Sequence, residues 1–343
     1  MFSEGINQVR VLEGQILISD KGYRYVDTVG RNRLLSLNQE YRKVERIERD
    51  GDTSHIYELV INGFFNPLGI SESNEILVYK GKKNQRCFEK SEWVLPKDVK
   101  VGDMLVYNVE NNINPRDYLK DYLQDNNVAT FLGYYTLEGF INKEKGRVTF
   151  HVDPKFPEME EDVSRVCEEA FSKEVDRYEY EGEHFISVDG EDGIIQLCEL
   201  FGGKNRDSVI PEEVINSDIN FLSNYIKPML KLNKDKRGSY FRPSASLDLV
   251  LGFQRALMRM NSFANIYYCV SKNNRFSYYA VIMNSTELNK ALSFVPGEDS
   301  SWFRSGDCAY LRVNSIGVKE EKKKVYKVHF RGDSYCNYLM YLR

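Results

Sequence analysis

Strand-like runs stand at both ends of the chain, with a longer stretch of helical spacing between them. From residue 8 to about 107, the runs QILIS, YRYVDTV, HIYELVI, EILVYK and DMLVY alternate with turn chemistry such as Asp20-Lys21-Gly22. After about residue 302 the same texture returns and lasts to the end. The first stretch holds only about half the strands needed to close its core, and an unpaired sheet edge is a liability. The two ends are therefore expected to complete one β-domain, 1–110 with 301–343, around an inserted α+β domain at 111–300. The polar, Asn-rich segment NVENNINPRDYLKDYLQDNN marks the entry to the insert.

Within the insert, periodicity predicts helices over 116–139, 158–172, 191–201, 211–232 and 246–261, and strands at 147–153, 177–188, 264–271 and 276–283. These fall into a repeat of helix, strand, helix and strand pair. The first unit opens with FLGYYTLEGFI and the second with NFLSNYIKPMLKL. Such a repeat predicts two apolar helices side by side at a pseudo-twofold axis, with the strands forming one curved surface.

Composition narrows the function classes. At 343 residues the chain is long enough for roughly two domains. The 47 Lys plus Arg and 51 Asp plus Glu leave a net charge of −4, so any nucleic-acid surface must be local. No basic segment followed by an apolar stretch opens the chain, and no apolar run reaches the roughly 18 residues that span a bilayer. A soluble, cytoplasmic protein is expected, with a virion as the other location and no membrane partner. Cys87, Cys167, Cys198, Cys269, Cys308 and Cys336 contain no C-x-x-C pair, so they read as reduced structural thiols rather than zinc ligands. The four histidines, His55, His151, His184 and His329, are far apart and read as surface or packed residues.

The most specific string is Phe131-Leu132-Gly133-Tyr134-Tyr135-Thr136-Leu137-Glu138-Gly139-Phe140. Gly133 permits close approach of a partner helix, and Glu138 before Gly139 can project a carboxylate from a helix end. Taken with the repeat, this string resembles a LAGLIDADG homing-endonuclease motif, whose terminal acid binds the divalent metal for phosphodiester hydrolysis. Its flanks resemble an intein Hint domain. Val11 to Ile18 with Gly22, Tyr23 and Val26 resembles the opening block, and Ser71 to Val78 the second. Trp93 to Asp103 resembles the strand leading out, and Val325 to Val328 through Gly332 a late block. The resemblance implies an all-β Hint-like domain with an inserted pseudo-twofold LAGLIDADG domain of αββαββα repeats, and the leading Met implies a free-standing protein.

Departures from those patterns decide the expected chemistry. Splicing begins with an acyl shift to a thiol or hydroxyl, and Val11 at the first position has neither. Ser71 and Asn74 stand where a Thr and an acid-base His are usual, and an amide takes up no proton at neutral pH. Lys327 replaces an Asp, Ser334 a His, and Leu342-Arg343 the terminal His-Asn. In the second motif helix Met229 falls where the second acid should stand, with Lys227 and Pro228 before it. A thioether is a poor ligand for Mg²⁺. Glu138 is thus the one expected catalytic acid and metal ligand, with Mg²⁺ the cofactor of any surviving nuclease.

For duplex DNA the candidate contacts are Lys227, Lys231, Lys234, Lys236, Arg237 and Arg242, with Lys272 and Arg275 on a nearby hairpin. Against them, alternation along Arg177 to Glu183 is expected to place Glu179, Glu181 and Glu183 on one face. Three functions stay open. One is a splicing-inactive, intein-derived DNA-binding protein with cleavage weak or lost. Another is a non-catalytic, co-opted structural or interaction protein, for instance a phage virion component with protein partners. The third is an active endonuclease, with Asp235 or Asp248 supplying the second acid.

Overall fold

The computed structural model describes residues 6–19, 22–30, 32–35, 41–80, 91–110, 115–190, 193–202, 208–232, 240–270, 276–282, 302–331, 335–336 and 341–342. The architecture is mixed α and β, in two compact units: residues 1–112 with 296–343, and residues 113–295. No helix among the described residues is long and apolar enough to cross a membrane.

The first unit is built on two long antiparallel strands, Tyr41–Ile61 and Cys308–Arg331, paired from Val313↔Ile61 to Phe330↔Val44. The strand Ile6–Leu12 pairs on the other side of the second of these, from Ile6↔Arg331 to Leu12↔Val325. Leu12, Ile56 and Val325 pack together beneath this sheet. Residues 41–54 carry many charges, with Gly51 among them. The chain runs through them as strand because Gly51 adopts a φ of 101°, and register shifts at Glu320/Lys323 and Lys324/Tyr326 absorb the mismatch.

The second unit contains six α-helices among the described residues: α1 (Asn126–Glu138), α2 (Glu158–Phe171), α3 (Ile194–Glu199), α4 (Glu212–Ile215), α5 (Ile219–Lys231) and α6 (Leu247–Arg259). Two expected helices are shorter than the periodicity implies. Asp125 accepts from the N–H groups of Asn127 and Val128 and starts α1 there, while Asp218 caps Asn220 and separates α5 from α4.

The helix, strand, helix, hairpin order occurs twice, with the same strand order each time. Arg147–Val152 pairs with Glu183–Asp189, which pairs with Val175–Tyr180. Equivalently, Tyr240–Ser244 pairs with Phe276–Ile282, which pairs with Ala264–Val270. Gly139–Asn142 adds a fourth strand to the first sheet.

The strand pair expected after α2 is a hairpin of Val175–Tyr180 and Glu183–Asp189, so the 177–188 run is not continuous. Glu181 and Gly182 have φ of 53° and 81°, the two positive values that a tight hairpin turn demands. Alternation therefore stops at Tyr180. Glu179 pairs with His184 and Tyr180 with Glu183, so Glu179 and Glu183 lie on opposite faces and Glu181 in the turn. The expected row of three glutamates does not form.

Candidate functional site

Two constellations bring together residues singled out in the sequence. The first surrounds the Arg10–Val11 peptide bond. The 68–71 strand ends in a turn closed by the Asn74 N–H on the Ser71 carbonyl, which sets both side chains on one side. Asn74 Nδ2 donates to the carbonyl oxygen of Arg10 at 2.5 Å, and Ser71 Oγ donates to Asn74 Oδ1 at 3.1 Å, which orients the amide. Val11 is 1% exposed and pairs with Tyr326.

Lys327 lies directly across from Arg10, a like-charge pairing that would repel. Asp50 sits against both, at 2.6 Å from Lys327 Nζ and 2.7 Å from Arg10 Nε. The hydrogen bonds from Lys327 and then Arg10 hold the Asp50 carboxyl below the usual range. Val11 and Asn74 thus meet at one peptide bond, with Lys327 across the strand pair from Arg10, while Ser334 lies outside the described residues.

Chemically, this site can polarise a carbonyl but cannot attack it. The Asn74 amide could stabilise developing oxyanion charge on the Arg10 carbonyl. The adjacent side chain is a buried isopropyl group with no nucleophilic atom, and Asn74 offers no proton transfer.

The second constellation lies along α1. Gly133 packs against the backbone of α5, where any Cβ would collide with the Tyr225 carbonyl oxygen. Thr136 Oγ1 and the Tyr225 hydroxyl meet at 2.8 Å across the same contact. Gly139 begins the following strand with an extended φ of −87°, so it is no left-handed cap. Its lack of a side chain serves space instead, because a Cβ there would strike Tyr135.

Glu138 closes α1 with its side chain about a quarter exposed, and its Oε2 lies 3.4 Å from His151 Nδ1. The other ring nitrogen of His151 is 2.7 Å from Glu183 Oε2. The imidazole therefore bridges two carboxylates. A protonated ring can donate to both, a neutral one to one. Met229 is 1% exposed in the core.

This donor set does not fit Mg²⁺. The cation needs several hard oxygen ligands in octahedral array, whereas Glu138 faces an imidazole and Met229 offers sulfur. Among the described residues no cluster of three or more His, Cys, Asp or Glu side chains could hold a metal. Asp248 lies in the first turn of α6, and Asp235 lies outside the described residues. Burial pushes the thiols of Cys167 and Cys308 up to about 12, which keeps them protonated.

Of the expected DNA contacts, the side chains of Lys227 and Lys231 are the two that lie among the described residues. Lys227 and Lys231 are exposed on α5, a helix and not a strand. Lys227 Nζ donates to Asn224 at 3.2 Å, and Lys231 Nζ lies 3.1 Å from Asp162, which also accepts from the Tyr134 hydroxyl at 2.6 Å. Burial opposes ionisation of Asp162, but those two hydrogen bonds outweigh it and hold the carboxyl low. Lys234, Lys236, Arg237, Lys272, Arg275 and the side chain of Arg242 lie outside the described residues.

The sequence reads His151 as a surface or packed residue and gives no sign of its two carboxylate partners. Those partners come from a helix end and a hairpin, and only strand register brings them to His151.

No protein-family model matches the chain. Among curated proteins it is similar to the replication factor C small subunit of Methanocaldococcus jannaschii, 28% identical over 213 residues. That match takes in 58% of this chain and 11% of the relative, so the chain spans about a tenth of the relative's length. Among solved structures it is similar to mesophilic variants of the homing endonuclease I-DmoI, with TM-score 0.38, 12% identity, 50% of this chain and 94% of that one. I-DmoI in complex with DNA and Ca gives a TM-score of 0.37 at 13% identity, over 49% and 86% of the two chains. The N-terminal LAGLIDADG domain of DUF199/WhiA gives 0.34 at 12% identity, over 55% and 97%.

Proposed function

We propose that the chain is a splicing-inactive, intein-derived protein whose second unit is a LAGLIDADG-type DNA-binding module with cleavage lost. The observation that carries this reading is the close pair of α1 and α5 at the centre of a twice-repeated helix, strand, helix, hairpin order, with a single acid, Glu138, closing the first helix. Close packing of two repeat helices through a glycine supports two similar halves sharing one core. Met229 in place of a second acid leaves no pair of hard ligands to activate water and stabilise the leaving oxygen. The Asn74 hydrogen bond to the Arg10 carbonyl supports descent from a splicing site, and Val11 supports its silence.

Binding and cleavage separate in one experiment. Purified protein is titrated into labelled random duplex DNA over a salt series, then incubated with a supercoiled plasmid and Mg²⁺. The expected result is a retarded band that weakens steeply with salt, as phosphate contacts require, and a plasmid left intact. Efficient double-strand cutting overturns the loss of cleavage. Absence of any shift at low salt overturns DNA binding.

A second reading, a protein-interaction surface on the same fold, is favoured by one feature. The outward face of the 139–189 sheet sets one arginine among four carboxylates.

A further inference from the structure

The first sheet of the second unit has two unlike faces. One turns Val148, Phe150, Val152, Ile186 and Val188 inward, all at most 4% exposed, and Phe150 meets Phe131 of α1 edge to face. By register, the opposite face carries Phe140, Arg147, Thr149, His151, Asp176, Tyr178, Tyr180, Glu183, Phe185, Ser187 and Asp189.

That outward face is aromatic at one end and acidic around it. Tyr178 stacks on Phe185 with centroids 5.4 Å apart and planes 18° apart, and Phe140 and His151 meet Phe185 edge-on. Tyr178 is 44% and Tyr180 63% exposed. Around the rings stand Glu138 and Glu183, both against His151, and Asp176 and Asp189, both paired with Arg147. Arg147 is thus neutralised from both sides, and the carboxylates of Asp176, Asp189 and Glu183 remain more than half exposed.

A phosphate backbone approaching this face meets excess negative charge, whereas a guanidinium meets its complement. Arginine stacks on an exposed tyrosine ring and donates in a fork to a neighbouring carboxylate, and lysine lacks that planar fork. We propose that the outward face of the 139–189 sheet binds an arginine-bearing basic segment of a protein partner. The proposal rests on the protein-interaction reading above and names its partner chemistry.

The test uses the full chain and two labelled nine-residue probes of equal charge, Arg alternating with Gly and Lys alternating with Gly, alongside random duplex DNA. The arginine peptide is expected to bind in a salt-dependent manner, more tightly than the lysine peptide. Tyr178→Ala should weaken it about three- to tenfold, in keeping with one cation–π contact. Glu183→Gln should weaken it as well, while Glu161→Gln on the exposed side of α2 should leave it unchanged. Circular dichroism of each variant guards against misfolding, and Glu183→Gln tests the face even where Tyr178→Ala fails to fold. Equal binding of both peptides with no effect of Tyr178→Ala or Glu183→Gln overturns the proposal as unspecific charge attraction. No peptide binding at all also overturns it, while leaving an interface for a partner of other chemistry. Duplex binding that Tyr178→Ala weakens overturns the interaction reading itself and makes this face a DNA surface.

Discussion

Asn74 and Arg10, distant in sequence, are joined by a 2.5 Å hydrogen bond from a side-chain amide to the backbone carbonyl that precedes Val11. The carbonyl is held and polarised, yet the next side chain is hydrocarbon. The wild-type chain is therefore expected to keep its translated mass during long incubation with a thiol. Val11→Cys combined with Asn74→His supplies a nucleophile and a proton donor at this bond. Thiol-dependent cleavage between residues 10 and 11 is expected by intact-mass spectrometry. An inert double variant that still folds would count against a splicing ancestry for the site.

Gly133→Ala sets a methyl group against the Tyr225 backbone carbonyl, which cannot rotate away as a side chain would. Overpacking of this kind costs roughly 1–3 kcal/mol, and more where backbone must shift. Urea denaturation should show that loss. Gly317→Ala, with open space around it and no positive φ, should change stability by only a few tenths of a kcal/mol.

Asp50 determines an acid dependence. Its carboxyl is held below its unfolded value by Lys327 and Arg10, so the stabilisation is present above about pH 4 and disappears as pH falls through the lower folded value. Thermal midpoints from pH 3 to 7 should fall on the acid side in the wild type. Asp50→Asn should lower the midpoint at pH 7 and flatten that acid slope, since the Arg10 and Lys327 charges then face each other uncompensated. Parallel pH curves for the two proteins would exclude Asp50 as the source.

The buried pair Arg255 and Glu212 makes a two-pronged bond at 2.6 and 2.8 Å, with Arg255 fully inaccessible. Removing one member strands a charge in the core, at a cost of about 3–5 kcal/mol. Glu212→Gln should show this in guanidinium melts. The double variant Glu212→Leu with Arg255→Met should recover much of the loss, because a matched apolar pair leaves no charge unpaired.

Glu138→Gln tests the isolated acid without metal. It removes the charge that His151 Nδ1 faces at 3.4 Å, so the His151 ring resonances at a fixed pH should move relative to the wild type in NMR spectra. Plasmid integrity should not change between wild type and variant if cleavage is lost.

What the sequence by itself determined was everything written in short-range chemistry. Apolar spacing marks α1, α6 and the stretch that holds α4 and α5, though not the Asp125 and Asp218 caps that bound α1 and α5. The glycine of FLGYYTLEGF marks where a helix must come close, and the missing nucleophile is plain at Val11. A thioether in the second motif helix is equally plain at Met229. Local signals misled along Arg177 to Glu183, where positive φ values at Glu181 and Gly182 end the alternation that would set three glutamates on one face.

Only tertiary structure could decide which distant groups meet. Strand register sets His151 between Glu138 and Glu183, places Lys327 opposite Arg10, and assembles an acidic, aromatic face from four separate strands. Register depends on the whole pattern of pairing, since a slip of one residue turns every side chain to the other face. No short window of sequence contains that information.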